Sequence, residues 1–182
     1  MKHNAFYLFS FLSMIGTLHA NAQLNIAVEN GVIYIKTATF GPPDPKKFIT
    51  LTDSLDKNLK AHPDDTTSLF ERALLLEQFN NQLAKATSYT KDPIENLTAA
   101  KDMTEHAVEL MKDIRLKILR AQVYKDLVYR FSVNESWKFT NKQISERKIK
   151  YNAYKVLANK YYDELALLDN NNAYDYQKLK VK

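Results

Sequence analysis

The chain contains no cysteine and only three glycines and five prolines in 182 residues. Without cysteine there is no disulfide staple, no thiolate nucleophile, no thiolate metal site and no thioether lipid anchor. With three glycines, one of them at Gly16, a phosphate-cradling loop or a dinucleotide fingerprint has nothing to be built from. A β-sandwich of this length would also need more turn residues, so glycine scarcity points to helices. Only four histidines occur, and no His-Glu-x-x-His pair stands among them. Charge is not concentrated in one sign. Twenty-six basic against 21 acidic residues give +5, too mild for the electrostatic footprint of a nucleic-acid binder.

Long apolar runs are also scarce. The one clear run is Ala5 to Ile15, broken by Ser10 and Ser13, behind the basic start Met1-Lys2-His3. It ends in the small-x-small pattern Ala20-Asn21-Ala22. A membrane-spanning helix needs roughly 20 apolar residues, about twice this length. The order basic, apolar, small therefore predicts a cleaved export signal over residues 1–22 and a mature chain that starts at Gln23. The expected location is periplasmic or secreted, with no membrane span.

Residues 23–45 are expected to form a β-hairpin and a Pro-rich linker. Leu24–Val28 and Val32–Thr37 flank Glu29-Asn30-Gly31, and Asn-Gly between β-formers is a strong hairpin signal. Phe40-Gly41-Pro42-Pro43-Asp44-Pro45 then interrupts regular structure. From residue 46 to 169 the apolar spacing turns helical. Five helices are predicted: near 46–61 and 66–86, from Pro93 with a stripe that runs to Leu110, and near 114–131 and 143–168. The third has a capping-box start in Asp92-Pro93-Ile94-Glu95. The fourth follows Asp113 and carries two apolar stripes, which predicts contact from both sides. The fifth carries Tyr151, Tyr154, Ala158, Tyr161, Leu165 and Leu168 at alternating three- and four-residue steps. Asp169 and the asparagines 170–172 should stop it through a left-handed C-terminal residue. Residues 170–182 are expected to be a polar tail, with Ala173–Lys182 frayed or forming a last loose turn. The predicted class is mainly α, an antiparallel helix-hairpin stack or an irregular helical bundle, with a short N-terminal β-hairpin.

Three local features resemble the tetratricopeptide-repeat family. Ala61-His62-Pro63-Asp64-Asp65 is similar to that repeat's closing turn. Ala100 and Ala107, followed by Leu110, are similar to the small positions of its second helix. The next helix begins directly after the Pro-Asp turn, as a following first helix would. The turns at Asp64 and Asp113 are spaced more widely than the roughly 34 residues of that repeat. The resemblance, over about 46–131, implies an α-solenoid fragment that grips a peptide or a partner's helix. The leader's ending, Ala-Asn-Ala-Gln, resembles leaders of exported Bacteroidetes proteins.

For function, the residues favour a non-catalytic protein-binding module of the cell envelope, with no cofactor and no nucleic acid. Aromatic side chains dominate interface energetics, so Tyr34, Trp137 and Phe139 are expected contact residues, with Tyr151 and Tyr154 on the fifth helix. That helix alternates its tyrosines with Lys148, Lys150, Lys155 and Lys160. Such alternation suits stacking on bases or sugars, but the spacing is that of core packing. Two alternatives are a metal-binding or hydrolytic protein using His106 with Asp102 and Glu109, and an envelope component adhering through the basic face of the fifth helix.

Overall fold

A computed structural model describes residues 24–36, 45–83, 91–132 and 136–182. The predicted export signal lies outside them, as does most of the Pro-rich linker. The described chain is mainly α, as expected, with a two-stranded N-terminal hairpin. Strands β1 (Ile26–Glu29) and β2 (Val32–Ile35) pair antiparallel, with Ile26 opposite Ile35 and Glu29 opposite Val32. Asn30 and Gly31 both have positive φ, 51° and 75°, the conformation that an Asn-Gly hairpin turn needs.

The helices are α1 (Pro45–Ala61), α2 (Thr66–Leu83), α3 (Lys91–Leu110), α4 (Ile114–Phe131), α5 (Asn141–Leu168) and α6 (Ala173–Leu179). Each packs on the next in chain order from α1 to α5, joined by short turns where these are described. Asp65 accepts the Ser68 N–H at 3.1 Å and starts α2. Asp113 accepts the Arg115 N–H at 2.8 Å and starts α4, as its sequence predicts. Helix α3 already contains Asp92 and Pro93, so it begins ahead of the expected cap. Proline's missing N–H costs nothing in a first turn, so the chain can add residues before it. A capping box forms at the start of α5, between Thr140 and Gln143, and that helix begins two residues earlier than the spacing suggested.

Two helices are buried on more than one face. On α4, Leu116, Leu119, Val123 and Leu127 form one buried stripe and Ile118, Ala121 and Val128 the other. The expected double contact is present, except that Ile114 at the helix start is exposed. Helix α2 also buries Phe70, Leu74 and Leu75 beside the stripe of Leu69, Ala73, Leu76 and Phe79. It sits between α1 and α3 and touches α4 and β2. Fully buried alanines at 73, 100, 107, 121 and 158 lie at these helix contacts.

The C-terminal residues are more ordered than the frayed end or loose turn expected of them. Asn170–Asn172 form a 3-10 turn and α6 follows. None of these asparagines is left-handed; among the described residues only Asn30 and Gly31 have positive φ. Asp169 instead accepts hydrogen bonds from Asn172 Nδ2 at 2.8 Å and from the Tyr176 hydroxyl at 3.0 Å. Tyr176 is fully buried, with its ring against Gly31 at the hairpin turn. One aromatic with a seat, and a carboxylate to hold its hydroxyl, outweighs the polar surroundings that suggested fraying.

Candidate functional site

The five aromatic candidates separate into three places. Tyr34 lies half-buried on β2, opposite Ala27, and the nearby Glu29 carboxylate raises its hydroxyl's pKa. Tyr151 and Tyr154 are half-buried on the inner side of α5 and belong to the core. Tyr154 meets Tyr124 edge-on at 5.8 Å and Phe131 at 5.6 Å, so its ring is a packing element. Trp137 is 75% exposed in the 3-10 turn Ser136–Lys138. Phe139 is half-buried just beyond it, and its ring forms one wall of a cleft.

That cleft, of about 400 Å³, is lined by Phe131, Phe139, Gln143, Glu146, Arg147 and Lys150. The last turn of α4 supplies Phe131, and the first three turns of α5 supply the rest except Phe139. Arg147 is its centre. The side chain is only 8% exposed, and its guanidinium lies 4.4 Å from the Phe139 ring centroid and 5.4 Å from that of Phe131. One nitrogen, Nη2, donates to the carbonyls of Arg130 and Ser132, the last of these at 3.2 Å, and so closes the C-terminus of α4. The Nε–H has no hydrogen-bond partner. Burial lowers the guanidinium's pKa, yet the group keeps its charge at neutral pH. Lys150 adds a second cation, with Nζ 5.1 Å from the Phe131 centroid. The carboxylate in the lining, Glu146, leans toward Lys142 at 3.9 Å.

Beside the cleft runs the outward face of α5. Ile149 and Val156 are 69% and 68% exposed, and Leu167 is 81% exposed. They recur with exposed Ala153 along one line, opposite the buried Tyr161 and Leu165. Exposed Lys142 and Lys160 stand on the same face, and exposed Lys148 and Lys150 lie to either side of the line. The deeper tyrosines take no part. Tyr161 donates to Glu105 at 2.9 Å, with the Arg120 guanidinium 3.8 Å over its ring, and Tyr162 is buried.

A second cleft, of about 470 Å³, opens at the start of α2, lined by Leu24, Thr66, Phe70, Glu71 and Arg115 among others. Its charged groups are already engaged. Arg115 bonds Asp113 at 2.6 Å, and the Leu24 N–H reaches the Glu71 carboxylate.

The histidine alternative meets a different geometry. His106 Nε2 lies 2.8 Å from Asp64 Oδ1, in the turn between α1 and α2. Asp102, expected beside it, bonds Lys101 instead. Among the described residues no three His, Asp or Glu side chains gather as a metal-holding group. The histidine therefore joins the α1–α2 turn to α3.

One polar cluster was missed. Gln122 on α4 holds β2 with both ends of its amide, accepting from Ile33 N–H and donating to Ile33 C=O, each at 3.1 Å. The same amide nitrogen donates to Glu77 on α2 at 2.8 Å. Glu77 is 6% exposed, lies beside the Asp126 carboxylate, and has one buried oxygen, Oε2, without a hydrogen-bond partner. Gln78 accepts the Ile35 N–H at 2.8 Å. The signal in the sequence was Glu77-Gln78 inside the apolar run Leu74 to Phe79. Polar side chains inside such a run mark a place where backbone from elsewhere must be satisfied.

No family model, no curated protein and no solved structure matches the chain.

Proposed function

We propose that this protein is an exported, non-catalytic interaction module that binds a peptide or partner protein along the outward face of α5. The observation that carries this reading is the line Ile149, Ala153, Val156 and Leu167, aliphatic and exposed on a helix whose opposite side is packed in the core. A solvated helix face gains nothing from such a line, whereas a docking face buries it. Export rests on the leader, and cleavage after Ala22 is checked by the mass of the protein recovered from the envelope or the medium.

A photo-crosslinking residue at position 153 tests the docking face in cells of the source organism. The expected result is a discrete crosslinked product at 153 that is absent when the same probe replaces Lys57 on the exposed side of α1. Val156→Glu should abolish the product while leaving the thermal midpoint unchanged. Equal crosslinking at both positions would overturn the reading. The exposed lysines favour a second one, adhesion to an anionic surface. That reading expects salt-sensitive binding to vesicles containing phosphatidylglycerol, whether or not Val156 is changed.

A further inference from the structure

We infer that the cleft between Phe139 and the start of α5 is a carboxylate-recognition site for an acidic peptide, one that presents a Glu or Asp side chain next to an apolar residue. This rests on the interaction-module reading and names the partner's chemistry.

The argument begins with Arg147. A buried guanidinium that leaves one N–H without a partner forgoes a hydrogen bond, and an unsatisfied buried donor is costly. The same residue lines an open cleft; Nε itself is closed off from solvent, so what a ligand meets there is the guanidinium's positive charge. An anionic oxygen suits this best, because a charge-assisted hydrogen bond is about twice as strong as a neutral one. Arg147 is also held in place. Two carbonyls at the end of α4 fix its Nη2, and the rings of Phe131 and Phe139 lie close to its guanidinium. A positioned arginine gives up little side-chain freedom on binding.

Charge and shape narrow the ligand further. The cleft has two cations, Arg147 and Lys150, against Glu146, which Lys142 accompanies. The remaining lining is Gln143, the edge of the buried Phe131 ring and the half-buried Phe139, so a bare inorganic anion would leave the accessible part of the Phe139 ring untouched. An acidic side chain with an apolar neighbour fills both halves. The volume of about 400 Å³ suits two or three side chains of a peptide. The line of Ile149, Ala153 and Val156 on the same helix offers a path along which such a peptide can continue.

The test uses the purified full-length protein and two blocked hexapeptides, acetyl-(Glu-Leu)3-amide and acetyl-(Gln-Leu)3-amide. Binding is read by titration calorimetry, with fluorescence as a second readout, since Trp137 is the chain's single tryptophan and stands two residues from Phe139. The acidic peptide should bind saturably, at least tenfold more tightly than the glutamine peptide. Lys150→Glu should weaken it at least tenfold, as should Phe139→Ala, while Lys57→Glu changes nothing. Lys150 is exposed, so its replacement leaves the fold intact. No saturable binding, equal binding of the two peptides, or indifference to Lys150→Glu would each overturn the site. Inorganic phosphate that displaced the peptide at equal concentration would reassign the cleft to free anions and overturn the peptide assignment. Failure here with a crosslink retained at position 153 removes the carboxylate site and leaves the interaction module standing. Binding here without that crosslink does the reverse.

Discussion

Glu77 is a carboxyl group in the wrong medium. Burial raises its pKa to about 8, and the neighbouring Asp126 carboxylate pushes in the same direction. Asp126 is raised too, by burial, with Lys125 and Arg130 partly offsetting this from α4 itself. Burial, and the charge of the neighbouring carboxylate, favour the protonated form of Glu77. The unfolded chain releases that proton near pH 4.5, and the folded chain keeps it to about pH 8. Between those values the folded state binds the extra proton, so stability is full at the acid end and falls as pH rises. Denaturant unfolding should show a loss of about 2–3 kcal/mol between pH 6 and pH 9. Glu77→Gln should flatten that slope, and a wild-type slope of the opposite sign would refute the assignment. Gly31 makes a second prediction at this scale. Its φ is 75°, and a Cβ there would stand 2.9 Å from Tyr176 Cδ1. Gly31→Ala should cost about 1–3 kcal/mol in chemical denaturation.

Among the elements, the hairpin depends most on others. Two short strands are marginal in water, and this pair is held by side chains of α2 and α4. Gln122→Ala would leave both polar groups of Ile33 and one oxygen of Glu77 without their partner. Amide exchange over residues 26–35 should then accelerate far more than exchange in α4, with an overall loss of about 2–4 kcal/mol. Legibility also varied by element. Helix α4 was readable to the residue, because Asp113 caps it and its two stripes are both apolar. The hairpin was readable because Asn30-Gly31 fixes its turn locally. Helix α6 was not, since it is organised by Tyr176 fitting a turn at the far end of the described chain, and no local pattern records such a partner. The start of α3 was displaced because Pro93 permits the first turn of a helix without marking where that turn begins.

For the molecule as a whole, the candidate site was half legible. Trp137 and Phe139 stood out as aromatics among polar residues in a connection. Arg147 did not, because it falls within the basic stretch Arg147-Lys148-Ile149-Lys150 and a sequence gives no sign of which cation turns inward. The tyrosines of α5 were the opposite case. Their spacing marked packing, and packing is what most of them do. Exposure predicts how the surface responds to change. Replacing Ile149 and Val156 together by Glu should shift the free energy of unfolding by no more than about 0.5 kcal/mol, since both are more than two-thirds exposed. A larger loss in thermal or denaturant unfolding would mean that this line packs against something within the chain.

The contact between Gly31 and Tyr176 also sets an order of assembly. Whether the chain leaves a ribosome or a membrane pore, it emerges from its N-terminal end, so the hairpin appears early and waits. Its turn cannot be covered until Tyr176, 145 residues further along, has emerged. Closure of this contact is thus a joining of the two ends of the described chain. A protein halted before Tyr176 would keep its helical middle and leave the hairpin turn without the ring that covers it.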